Sequence, residues 1–194
     1  MTTTATYRKL AIRLQWATIA WNVGEVFVTV GLGVAAGSLG LVGFGMDSLI
    51  EVFASLVVVG HLRRMDGRAA VAHRRIGWAF FALAAALAVL AVERLASRSV
   101  PDESPWGIAY LTATVIVMWG LAFLKRRVGR VLGDGPVAAE AAMTFLDGWL
   151  AFGVLISLVV NALWGWWWAD PAAALLVAAA AVREGMENFE ESRP

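Results

Sequence analysis

The chain has 194 residues, 60% hydrophobic and only 16% charged, with a mean hydropathy of +0.70. A water-soluble domain carries about 45–50% apolar and about 25% charged residues, so a soluble globular fold is excluded. The formal net charge is +1 without a basic tail, which gives no nucleic-acid footprint, and the absence of cysteine removes disulfides, thiolate metal sites and cysteine nucleophiles together.

The pattern predicts an all-α polytopic membrane protein with six transmembrane helices of the roughly 20 residues that a bilayer requires. Residues 1–13 form a cytoplasmic N-terminal segment, 14–186 the six-helix domain and 187–194 a short cytoplasmic tail. The first span, Leu14 to Val34, is longer than the apolar run of about 7–15 residues in a signal peptide, so it reads as retained. It carries Asn22 and Glu25 one turn apart at its middle.

The second span, Leu39 to Leu62, contains Asp47 and Glu51. Four residues apart on a helix, they share a face. A carboxylate at the bilayer centre costs at least ~2.5–3.5 kcal/mol, so a pair of them there needs something to bind or neutralise it.

The third span, Ile76 to Leu95, is rich in alanine, which permits close helix approach. The fourth runs from Gly107 to Leu124. The fifth, Ala138 to Leu163, brings Glu140, Met143 and Asp147 to one face. The sixth opens at Asp170-Pro171, an N-cap followed by a proline at the first helical position; its apolar run ends at about Val182, and full length is reached if the helix continues through Glu184 and Met186.

Of the sixteen Lys and Arg residues, all but Arg94 and Arg98 fall on the side of the two termini, among them Arg63, Arg64, Arg68, Arg74 and Arg75 in a basic loop after the second span and Lys125, Arg126, Arg127 and Arg130 in the loop after the fourth, so both termini are expected to be cytoplasmic. Trp164, Trp166, Trp167 and Trp168, with Trp106, mark the opposite interface as an aromatic belt.

Depth aligns the polar positions. Glu51 lies about 18 Å from the start of its span and Asp147 about 14 Å from the start of its own, at 1.5 Å per residue. Both fall near the middle of a ~30 Å hydrocarbon core. Antiparallel running sets Asp47 opposite Asp147 and Glu51 opposite Met143, so four side chains converge from two helices. Carboxylates supply hard oxygens for a divalent cation, and the thioether is a soft, weak ligand. Neighbouring carboxylates bind protons and a cation in competition, which is the physical basis of metal–proton exchange. The plainer alternative is that the acids stay protonated and bond between helices. Glu25, Asn22 and Glu140 are expected beside the pathway or in proton coupling.

These features resemble the cation diffusion facilitator family. Gly37-Ser38-Leu39-Gly40-Leu41 followed by Asp47-Ser48-Leu49-Ile50-Glu51 looks like that family's second span. Ala139 to Asp147, then Gly165-Trp166-Trp167-Trp168-Ala169-Asp170-Pro171-Ala172, looks like its fifth span and the approach to its sixth. The resemblance covers approximately residues 10 to 187. It implies efflux of a divalent metal against protons by a homodimer in the cell membrane, with no enzymatic step and no permanent cofactor.

The family's metal site maps onto Asp47, Glu51, Met143 and Asp147. Glu51 stands where an aspartate is usual, and Met143 where a histidine is usual. Because imidazole binds zinc far better than a thioether does, manganese and iron join zinc as candidates. The chain looks like a short branch limited to the membrane part. A non-transporting metal-binding or scaffold protein that keeps the transporter fold is the alternative function, and a carrier of a small organic cation is a third.

Overall fold

The computed structural model describes residues 2–62, 69–133 and 135–191. They form six helices and no strand: α1 Thr2–Ala36, α2 Leu39–Leu62, α3 Ala69–Ser97, α4 Pro105–Leu132, α5 Gly135–Trp164 and α6 Ala169–Glu191. The all-α expectation holds. Among the described residues, four helices are long and apolar enough to cross a membrane: Ala5–Ala36, Gly77–Ser97, Pro105–Leu132 and Glu140–Trp164. Arg63, Arg64 and Arg68 of the predicted basic loop lie outside the described residues, as do the side chains of His61 and His73.

The helices outrun the apolar stretches that announce them. Only α2 has the predicted bounds. Helix α4 continues past Leu124 through Lys125, Arg126, Arg127 and Arg130, read above as loop. Lysine and arginine are good helix formers, so loss of hydropathy does not end a helix. Gly133 ends it, at φ 63°, with its N–H donating to the Gly129 carbonyl. At the other end Ser104 caps the helix and Pro105 takes the first position.

Helices α1 and α2, α3 and α6, and α4 and α5 pack as close pairs, and α2 also touches α3, α5 and α6. Small residues set these approaches. A Cβ on Gly45 would run into Thr29 and Val30 of α1, and one on Gly148 into the Trp119 ring of α4. The alanine-rich α3 turns Ala84 and Ala91 into the core against α6 and its neighbours.

The apolar core is split. A large cluster that includes Leu41, Phe44, Leu87, Leu111, Val154, Leu158 and Val177 fills the end where α2 begins and α5 ends. A smaller one of Ala11, Leu14, Val128 and Val137 fills the opposite end. Between them lies a polar layer that includes Asn22, Glu25, Asp47, Glu51, Lys125, Glu140 and Asp147, all buried.

The first end is stapled by Asp170. Its carboxylate caps α2 rather than its own helix, accepting the Leu39 N–H at 2.8 Å, the Gly40 N–H at 3.2 Å and the Ser38 hydroxyl. Ser38 in turn accepts the Leu41 N–H at 3.1 Å. The free N–H groups of the first turn of α2 are thus satisfied across the bundle. Asn161 donates to the Pro101 carbonyl at 3.1 Å, tying α5 to the connection between α3 and α4. Asp170→Ala leaves buried donors unmet, and a loss of about 1–3 kcal/mol is expected in detergent thermal unfolding.

Candidate cation site

Helix α2 carries Asp47 and Glu51 one turn apart, and α5 carries Met143 and Asp147 at the same spacing. All four line one cavity of about 390 Å³. Its walls are otherwise mostly apolar, from Phe80 of α3, Leu146, Trp149 and Leu150 of α5, and Leu176, Ala179 and Ala180 of α6. The residues grouped by helical spacing and depth are therefore together in space. A fourth carboxylate, Glu184 of α6, lines the same cavity.

The acids differ in how they are held. Asp147 is 4% exposed, and neither carboxylate oxygen has a hydrogen-bond partner among the described residues. Asp47 leaves Oδ1 in the same condition. Buried polar atoms are almost always paired, so three orphan oxygens beside one cavity mark a place built for something other than internal bonding. Hard carboxylate oxygens in this setting fit a divalent cation as the bound species.

Glu51 is oriented instead: Oε2 accepts from the Asn22 amide at 2.9 Å and Oε1 from the Thr144 hydroxyl at 3.3 Å. Fixing a carboxylate from behind narrows its geometry at the cavity. Among the described residues no three His, Cys, Asp or Glu side chains gather closely enough to hold a metal ion. The arrangement is an open cavity with carboxylates on its walls, and a closed ligand shell would require the helices to draw together.

Behind this face stand two further acids. Glu25 accepts from Thr114 of α4 at 2.7 Å and from Ser48 of α2 at 3.1 Å, and it does not line the cavity. Glu140 is buried in an ion pair with Lys125 of α4 at 2.5 Å. Gln15 donates to its Oε2 at 2.7 Å and Ser55 to its Oε1 at 3.0 Å. Asn22, placed beside the pathway by the sequence, is the positioning partner of Glu51.

Lys125 and Glu184 escaped the sequence reading, although their helical phase carries the signal. Met118, Ala122, Lys125, Val128 and Gly129 are buried along one face of α4. Asp170, Ala173, Ala174, Val177, Ala181, Glu184 and Asn188 do the same on α6. Both charges fall on buried stripes, where a charge must be accounted for.

The described residues thus form a six-helix bundle with an acid-lined internal cavity. A family model described as the cation efflux transmembrane domain matches residues 76–194, well over half of the chain. The chain belongs to the cation efflux family, as the sequence resemblance implied. The match takes in α5 and α6, with Met143, Asp147 and Glu184, while Asp47 and Glu51 precede it. Transmembrane protein 163 of Xenopus laevis is 25% identical over 162 residues, which is 79% of this chain and 57% of that protein. The chain thus spans little more than half the length of this curated relative.

Proposed function

We propose that the chain is a carrier that exports a divalent cation across the cell membrane in exchange for protons. All six helices cross the bilayer, residues 14–186 form the transmembrane domain, and both termini face the cytoplasm, a reading that the one-sided distribution of Lys and Arg supports. Asp47, Glu51 and Asp147 bind the cation, and Met143 supplies a soft auxiliary contact. Membership of the family supports cation transport. The observation that carries the site is the pair of unpartnered, buried oxygens of Asp147 facing a cavity shared with Asp47 and Glu51.

Protons and cation compete for the same carboxylates, which links the two movements. Asn22 holds Glu51, while Glu25 lies in the adjoining polar layer as a route for protons. The carrier acts as a homodimer and needs no resident cofactor. Zinc, manganese and iron are the cargo candidates.

Calorimetric titration of purified protein with each ion tests this reading in two buffers of different ionisation enthalpy. Binding is expected to release protons and to weaken as the pH falls, because protons then occupy the carboxylates. Binding of an ion with no proton release would refute the exchange, and absence of binding for all three would refute the site.

A further inference from the structure

The buried Lys125–Glu140 pair calls for an account beyond packing. Exchange of a buried ion pair for apolar side chains is often neutral or stabilising, so its presence is weak evidence of a stability role. The two groups lie on α4 and α5, only 1% and 2% exposed. Both Glu140 oxygens are engaged, Oε1 by Lys125 and Ser55 and Oε2 by Gln15.

Lys125 is not saturated. An ammonium has three donors. One serves Glu140 and a second the Thr144 hydroxyl oxygen at 2.9 Å. Among the described residues no acceptor takes the third.

Thr144 then connects this charge to the cavity. Its single hydroxyl hydrogen has two acceptors within reach, the Glu140 main-chain carbonyl at 3.1 Å and Glu51 Oε1 at 3.3 Å. It can serve only one at a time. An ammonium, a hydroxyl and a carboxylate of the candidate site therefore form a chain across α4, α5 and α2. Lys125 Nζ thus stands one hydroxyl away from Glu51.

We infer that Lys125 is a tethered counter-cation that competes with the transported ion for Glu51 and so keeps the site's affinity low enough for release. The inference rests on the carrier reading above. With the ion on Glu51, the two positive charges repel each other and Thr144 bonds back to Glu140. When the ion leaves, the hydroxyl turns to Glu51, and Lys125 offsets the carboxylate that remains. Lys125 is a positioning residue for charge, and Glu140 anchors it when the site is filled.

The test uses the paired variant Lys125→Met with Glu140→Gln, which removes both charges and leaves no buried ion alone. Zinc, manganese and iron are titrated, and transport into proteoliposomes is measured, for this variant, the parent and Asp147→Leu. Binding by the paired variant is expected to tighten about threefold or more, because Lys125 reaches Glu51 through Thr144 while the Glu140 carboxylate is bonded to Lys125, Ser55 and Gln15, so that the two charges removed cancel only in part at the site. The KM and kcat for transport should fall together, because the ion is held rather than delivered. A merely structural pair would leave KM and kcat where they were. If the parent binds an ion and the paired variant binds it equally or more weakly, the role of Lys125 is overturned while the carrier stands. If the parent binds none of the three and Asp147→Leu behaves as the parent does, both are overturned together.

Discussion

Asp147→Leu is expected to reduce cation flux to the leak of empty vesicles while raising the thermal stability of the protein. The two effects have one cause. Asp147 is buried, and neither of its carboxylate oxygens has a partner among the described residues. A buried unsatisfied polar group costs about 1–3 kcal/mol, and an apolar side chain of similar size removes that cost. The loss of flux follows because the cavity then presents a methyl group where the cation needs hard oxygens. Flux in proteoliposomes and detergent thermal unfolding check the two halves separately. A variant that unfolds more readily than the parent would show that the carboxylate braces the bundle. Higher stability with lost transport is the signature of a residue kept for function at the expense of the fold.

The second large effect concerns Lys125. Lys125→Met alone leaves Glu140 charged and unpaired between α4 and α5, 2% exposed. Removing one partner of a buried pair costs about 3–5 kcal/mol. Adding Glu140→Gln to that variant should restore most of the stability, giving a strong coupling between the two positions in a double-mutant cycle. A cycle that closes near zero would mean the pair does not form in the membrane. A glutamine at position 140 accepts from Ser55 through its one oxygen, and a turn of the Gln15 amide brings that residue's unpartnered Oε1 to the new N–H, so the rescue demands a side-chain rotation and no repacking.

The sequence and the structure part company in an instructive way. Hydrophobic run length found the helices, because bilayer thickness and helix rise leave little freedom. It missed the end of α4, which continues as a helix through charged residues that hydropathy reads as loop, while the continuation of α6 through Glu184 and Met186 was expected from the shortness of its apolar run. Helical spacing gathered Asp47, Glu51, Met143 and Asp147, because i and i+4 share a face whatever the surroundings.

Partners on other helices were another matter. That Asn22 would hold Glu51, or that Thr144 would stand between Lys125 and Glu51, depends on how α1, α4 and α5 rotate about their axes. Spacing within one helix does not fix that rotation. Asp170 shows the same limit: as a residue at a helix start it reads as a cap, and it is one, but of α2.

Lys125 was legible in principle. Adjacent arginines made it look like part of a basic loop, while its phase put it on the buried stripe with Met118 and Ala122. Weighing each charge against the apolar face of an extended helix, rather than against local hydropathy, would have found it, and Glu184 as well.

Proton-driven passage of a divalent cation through the cavity between α2 and α5 is the proposed activity. It is tested most directly in proteoliposomes with an acidic lumen and a metal-sensitive dye inside, offered zinc, manganese or iron in a more alkaline bath. Protons leaving the lumen are expected to drive uptake of at least one of these ions. A protonophore should stop the driven component, and Asp47→Ala should abolish it in a protein that still folds. Folded parent protein that moves none of them, or that moves one equally well with Asp47 removed, would contradict it.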